Sequence, residues 1–151
     1  MPLRRAALIG GLRFSAVPVQ HSIRAPAVGY RVSANGCSFF YLPNVAELPE
    51  ASDALRRIDV YIGDGSAIGR SMVRRKRGEW VGHAPIVRQL DWCAKAHVGR
   101  VVFTHCGSPI VRATSRTMDA LAGQLSREYS LDVRIARDGD TLYLRPAVAR
   151  N

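Results

Sequence analysis

The chain has 151 residues, 47% of them hydrophobic and 23% charged, which is enough for one domain with a sizeable core; no run approaches the ~18 apolar residues of a membrane helix. Its net charge of +10 draws it to phosphates, and 20 of its 22 basic residues are arginine, the side chain suited to bidentate phosphate contacts but also the one a GC-rich genome favours over lysine. Three cysteines (Cys37, Cys93, Cys106), odd in number and without C-x-x-C spacing, argue against a disulfide framework and for a reducing compartment.

The opening M-P-L-R-R-A-A-L-I-G-G-L is basic and then apolar in the manner of a leader peptide, but its apolar part is short and lacks a convincing cleavage site. It reads as domain interior, and the protein as cytoplasmic. Residues 11–19 (G-L-R-F-S-A-V-P-V) alternate imperfectly and predict a strand ending just before His21. A second strand is expected over 28–33, a tight turn at Asn35-Gly36, and a returning strand over 37–42 stopped by Pro43. E-L-P-E-A-S-D-A-L-R-R predicts a short helix around 50–57. The run I-D-V-Y-I-G-D-G, from Ile58 to Gly65, predicts a strand buried on both faces that ends in glycine-rich turn chemistry. Residues 65–82 are basic and read as a loop with little regular structure. Ile86, Val87, Leu90, Cys93 and Ala94 recur at helical spacing and predict a helix over 84–97, ended by Gly99. R-V-V-F-T-H is the next strand and a helix over 115–129 follows. Two short strands, 132–136 and 141–144, close the chain around the turn D-G-D. Such an order, a hairpin first and then alternation of strands and helices, predicts the α/β class in a single domain.

His21, His83 and His105 each adjoin the end of a strand-type run, in P-V-Q-H-S, G-H-A-P and T-H-C-G. A single histidine is more often structural, but strand ends are where an α/β layer presents its chemistry, and imidazole is the commonest zinc ligand. No H-x-H or H-x₃₋₅-H pair accompanies them. Asp64, at the tip of a buried strand, is placed to hold a metal, to orient a histidine, or to cap its turn. G-D-G-S-A-I-G resembles a phosphate-binding loop but lacks its lysine and its spacing, so it reads as an ordinary turn. Ser108 has no G-x-S-x-G elbow around it. Cys106, beside His105, offers a ligand or a nucleophile but is more often simply a small buried residue, and His97 reads as a helix-terminal histidine without chemistry. The run R-S-M-V-R-R-K-R carries five positive charges in eight residues. It makes Arg74, Arg75 and Arg77 candidate substrate-binding residues that steer an anion.

Taken together over residues 10–145, P-V-Q-H-S, Y-L-P-N-V, I-D-V-Y-I-G-D-G, G-H-A-P-I-V-R-Q-L and V-V-F-T-H-C-G-S resemble the C-terminal half of a metallo-β-lactamase-fold hydrolase. The nearest branch holds the tRNA 3′-end-processing endonucleases and related phosphodiesterases. The resemblance implies half of an αββα sandwich, a mixed sheet with helices on one face, and makes residues 1–151 a single partial domain without the N-terminal H-x-H-x-D-H half. It implies zinc as cofactor, with His21 and His105 as metal ligands supported by Asp64. His83 is then the catalytic histidine that neutralises or protonates the scissile phosphate of a phosphodiester or nucleic-acid-like substrate. Asn44 in Y-L-P-N-V occupies the position of the usual bridging Asp, and a neutral amide cannot bridge two cations as a carboxylate does. Half a sandwich leaves an apolar sheet face open, which implies a homodimer or a separately encoded N-terminal half. The alternative is a non-catalytic remnant, a basic nucleic-acid-binding module held to phosphates by charge alone.

Overall fold

The computed structural model describes residues 6–144. Along the chain it runs β1 (Ala7–Ile9), β2 (Leu12–Val19), β3 (Ala27–Ala34), β4 (Cys37–Tyr41), α1 (Ala51–Ala54), β5 (Val60–Asp64), β6 (Arg74–Lys76), β7 (Glu79–Val81), α2 (Ile86–Lys95), β8 (Arg100–Thr104), α3 (Ser108–Val111), α4 (Ser115–Tyr129) and β9 (Asp132–Ile135). Seven strands form one sheet in the order β1-β2-β3-β4-β5-β8-β9, and β6 and β7 pair separately. The first four strands are an antiparallel meander, whereas β4, β5, β8 and β9 are parallel.

Local chemistry explains the meander. Asn35 and Gly36 both take positive φ (50° and 75°), the two-residue turn whose twist matches antiparallel strands, and Ala34 pairs with Cys37 across it. Gly10 and Gly11 repeat the device at 56° and 80°, which adds β1 ahead of the first expected strand. The parallel half needs crossovers, and α2 and α4 supply them. Their apolar stripes (Ile86, Leu90 and Cys93; Met118 and Leu125) pack on Phe40, Tyr61, Val101, Phe103 and Val133 of the sheet. Large side chains buried in this way contribute roughly 1.5–3 kcal/mol each. Phe40 and Tyr61 stack at 6.3 Å between ring centroids.

Strand alternation turns a second row to the other face. Ala16, Tyr30, Tyr41, Ile62, Val102 and Arg134 are successive cross-strand partners. Tyr30 and Tyr41 in that row remain exposed, at 44% and 40%. No helix among the described residues is long and apolar enough to cross a membrane.

Several expectations need correction. The basic segment 65–82 holds the β6–β7 hairpin, closed by Arg77 and Gly78 at φ 52° and 85°. Residues 141–144 form no strand. The helix expected over 50–57 is a single turn, followed by turn residues up to Arg57 at φ 57°. His97 and not Gly99 takes the left-handed conformation after α2, with φ 57°. The four-residue α3, with Pro109 in its first turn, was not expected.

Candidate active site

In β2, β4, β5 and β8 the chain runs in one direction, so their carboxyl ends share one rim of the sheet. Ligands of α/β proteins bind at that rim. His21 lies two residues past β2, Asp64 ends β5, His105 follows β8, and His83 follows the β6–β7 hairpin.

Asp64 is fully buried and is the hub. Its Oδ2 accepts from the Val45 N–H at 3.2 Å and meets His83 Nδ1 at 2.7 Å. Its Oδ1 accepts from the Ser66 N–H at 2.9 Å and lies 3.5 Å from His105 Nδ1. The Asp64 backbone is held as firmly. Gln89, buried on α2, accepts the Asp64 N–H at 2.9 Å and donates to the Asp64 carbonyl at 2.7 Å. The same amide accepts from the Tyr61 hydroxyl at 2.8 Å and donates to the Ala84 carbonyl at 2.8 Å. No buried side-chain polar atom among the described residues is left without a partner. This bracket requires its glycine, because a Cβ on Gly63 would sit 2.2 Å from Tyr61 and 2.6 Å from Gln89.

Two imidazoles, His83 and His105, meet the hub, and His21 joins them through its contact with His83. The ring centroids of His21 and His83 are 4.9 Å apart, and those of His83 and His105 are 5.7 Å apart. Each ring has its Nδ1 already engaged within the protein. His21 Nδ1 lies 2.9 Å from the Gly82 carbonyl, while the Gly82 N–H donates back to the His21 carbonyl at 3.0 Å. His83 Nδ1 is on Asp64, and the Ser66 hydroxyl stands 3.2 Å from Nδ1 of both His83 and His105. Nε2 is therefore the remaining nitrogen of each ring. Side-chain exposures of 23% for His83 and 47% for His105 keep those two rings within reach of solvent. His105 holds a positive φ of 51°, a conformation that a non-glycine residue keeps only where its surroundings impose it.

Burial also sets the protonation of the neighbours. It pushes the Tyr61 hydroxyl well above its ordinary value, with smaller contributions from Cys93 and Asp64. Burial raises the Cys93 thiol, and raises Cys106 with help from the Asp64 carboxylate. The three cysteines are free thiols.

Asp64, His83 and His105 each offer a ligand atom within 4.8 Å of the others. The donor chemistry fits a borderline cation such as zinc, since a metal-ligating histidine normally gives its second nitrogen to a carboxylate, carbonyl or hydroxyl, as all three rings do here. Asp64 also orients the two histidines, with Oδ2 on His83 Nδ1 at 2.7 Å and Oδ1 3.5 Å from His105 Nδ1. Asn44 lies beside this hub through its neighbour, the Val45 N–H on Asp64. Its amide supplies no negative charge for a second cation.

The β6–β7 hairpin borders the cluster. Arg74 and Lys76 line a cleft of about 370 Å³ with His21, Ser22, Arg24 and Gly82. Arg75 points the other way and stacks over Trp80 at 5.1 Å, and Arg77 sits in the turn. Sequence reasoning missed Gln89 and Ser66. A polar residue on the buried stripe of a helix, at the i+3 position from Ile86, was the available sign of the first.

Residues 2–106 match the family described as the beta-lactamase superfamily domain. No curated protein matches the sequence. Among solved structures, the chain is similar to the metallo-beta-lactamase fold protein YhfI from Bacillus subtilis, with a TM-score of 0.67 and 13% identity over 93% of this chain and 53% of that one. It is also similar to a diphosphatase from the PhnP family, with a TM-score of 0.63 and 20% identity over 90% of this chain and 44% of that one. A third is Igni18, a metallo hydrolase from the hyperthermophilic archaeon Ignicoccus hospitalis, with a TM-score of 0.63 and 18% identity over 94% of this chain and 58% of that one. The chain thus spans about half the length of the structures it matches. It belongs to the beta-lactamase superfamily and folds as one half of the metallo-β-lactamase hydrolase fold.

Proposed function

We propose that the chain contributes to a metal-dependent hydrolase acting on phosphodiester bonds, in a cytoplasmic setting that its free thiols suit. The observation that carries this reading is the set of three clustered imidazoles, each with Nδ1 already engaged by a protein partner. A zinc-type cation held by His21 and His105 would supply Lewis acidity to a phosphoryl oxygen. His83, fixed by Asp64, presents Nε2 to the scissile phosphate and gives its proton to the leaving oxygen as water adds to phosphorus and the old P–O bond breaks. Asp64 holds that ring in one orientation, and Gln89 holds Asp64. The cations of the hairpin draw the anionic ester toward the rim.

Two imidazoles and a committed carboxylate fall short of a full catalytic donor set, so the reading places the complementary ligands outside residues 1–151. They belong to a partner surface that covers the open sheet face with Tyr30 and Tyr41, either a separately encoded N-terminal half or a second copy. The PhnP-family diphosphatase among the similar structures supports a phosphorus substrate.

Zinc uptake tests the ligand assignment directly. Titration with a competing chromophoric chelator is expected to show zinc binding that falls about tenfold or more in His105→Ala and in His21→Ala, the scale on which metal affinity responds to changes in the ligand set. Zinc uptake by the wild-type chain that both substitutions leave unaffected overturns it. Asn44 and the net charge of +10 favour one second reading, a binding module without turnover. It requires nucleic-acid affinity that weakens steeply with salt, and a flat salt dependence removes it.

A further inference from the structure

We propose that the cleft beside His21 is a separate anion subsite for two or more linked phosphates, as in a diphosphate or triphosphate tail. Three cationic side chains, Arg24, Arg74 and Lys76, line it together with His21 and Ser22, and no acidic residue does. Two other clefts differ in this respect. One of about 520 Å³ sets Glu50 and Asp53 against Arg31 and Arg56, and one of about 340 Å³ sets Asp119, Asp132 and Asp140 against Arg134 and Arg137. Among the described residues, the side chains of Arg24, Arg74 and Lys76 enter no ion pair. Three like charges around one concavity repel each other, and a multiply charged anion relieves that repulsion while gaining charge-assisted hydrogen bonds.

The cleft is also built in advance of any ligand. The Trp80 N–H donates to Gln20 Oε1 at 2.9 Å, and the Gly82 N–H donates to the His21 carbonyl at 3.0 Å. With His21 Nδ1 on the Gly82 carbonyl, these bonds fasten the hairpin to the end of β2. Gly82 cannot be replaced cheaply here, since it has φ +110° and a Cβ would fall 2.1 Å from the Met72 carbonyl oxygen. On the other wall the Ser22 hydroxyl accepts the Arg24 N–H at 3.1 Å and fixes the turn that carries Arg24. The two-residue period of a strand puts Arg74 and Lys76 on the cleft side and sends Arg75 to Trp80. A string of separated backbone phosphates calls for cations spread along a groove. Here three converge on one cleft, which favours phosphates joined to one another. The subsite takes its catalytic relevance from the phosphodiester reading above, but phosphate binding is measurable without turnover.

The test titrates the full chain with inorganic tripolyphosphate and with orthophosphate by calorimetry, with EDTA present and no added metal. Tripolyphosphate is expected to bind more tightly. Its affinity should fall about a hundredfold in Arg74→Gln/Lys76→Gln, roughly tenfold for each charge-assisted hydrogen bond removed. The control Arg13→Gln/Arg127→Gln removes the same two charges elsewhere. Arg13 lies near the start of β2, roughly 20 Å along the strand from its carboxyl end. Arg127 lies in the last turn of α4. This control should change affinity by less than about threefold, the range of weak surface electrostatics. Equal losses in both double variants reduce the effect to bulk charge and overturn the subsite. Tighter binding of a short oligonucleotide than of tripolyphosphate overturns the ligand class. Should the hairpin variant not fold, wild-type affinity that is independent of salt overturns the subsite in its place. Zinc uptake and diester hydrolysis are read in separate assays, so failure of the hydrolase reading leaves this result standing, and the reverse.

Discussion

The strand-end cluster and the β6–β7 hairpin meet at His21, yet they are built by opposite means. Asp64 and Gln89 are fully buried, and most of their bonds join residues 19 to 28 positions apart in sequence. The hairpin has six paired residues, of which only Val81 is buried, and is held mainly by its own turn and three bonds to the residues that follow β2. Buried polar groups fix geometry and are costly to disturb, because each lost partner leaves a desolvated group behind. Exposed cations act through a field and tolerate change. Chemistry therefore belongs to the first region and attraction to the second, and substitutions should separate the two by the size of their effect on stability.

The greatest loss is expected at Asp64. In Asp64→Asn, one carboxylate oxygen becomes an amide that points donors at the Val45 N–H and His83, or at the Ser66 N–H and His105. A donor forced against a donor in a fully buried position, with one histidine losing its carboxylate partner, should cost about 3–5 kcal/mol in denaturant unfolding. A loss below about 1 kcal/mol would show that the hub is replaceable, and the contrast with the hairpin would fail. Gln89→Leu follows at about 2–4 kcal/mol, since it strands the Asp64 N–H, two carbonyls and the Tyr61 hydroxyl without inserting a repelling group.

The contrast also explains what could be read from the sequence. The Asn35-Gly36 turn, the strand-end positions of the three histidines and the helical stripe of α2 follow from patterns a few residues long. So does the α/β class, because the buried run at 60–64 has to be covered on its faces. The β6–β7 hairpin escaped because its strands are charged, without apolar alternation, and its turn places Arg77 where Asn or Gly is expected. Likewise β1 hid behind a leader-like stretch, although Gly10-Gly11 is itself a hairpin signal. Gln89 was invisible for another reason. Its partners, Tyr61 and the backbone of Asp64 and Ala84, are brought to it only by the crossover from β5 through α2. Tertiary satisfaction of a buried amide has no short-range signature. The same holds for Ser66, whose hydroxyl matters because two distant rings arrive beside it.

Alkaline titration probes the buried bracket from another side. Burial raises both the Tyr61 hydroxyl and the Cys93 thiol in the folded state above their ordinary values of 10.0 and 9.0. Groups raised on folding stabilise the native state below their unfolded values and lose that contribution as pH climbs through and beyond them. Unfolding free energy should thus hold up to about pH 9 as far as these groups are concerned and then decline. Tyr61→Phe should cost about 1 kcal/mol at neutral pH, because Gln89 Oε1 keeps the Asp64 N–H as donor, and should flatten part of the alkaline decline. An unchanged slope in denaturant melts between pH 8 and 11 (roughly the window of these two groups) would remove Tyr61 from the bracket.

The mildest change belongs to the hairpin. Arg75 stacks over Trp80 and donates to the Gly78 carbonyl at 3.3 Å, all within the hairpin over residues 74–81. A cation over a ring at the surface contributes about 0.5–1 kcal/mol, and water replaces the hydrogen bond. Arg75→Ala should therefore lower stability by less than about 1 kcal/mol while shifting the fluorescence of Trp80. The second tryptophan, Trp92, has its own arginine, Arg88, 5.8 Å away, so the double variant Arg75→Ala/Trp92→Phe assigns the spectral change. A loss comparable to that of Gln89→Leu would mean that the stack carries structure into the cluster through Trp80, Gln20 and His21. The two regions would then form one cooperative unit, and the division between a rigid centre and an attracting rim would no longer hold.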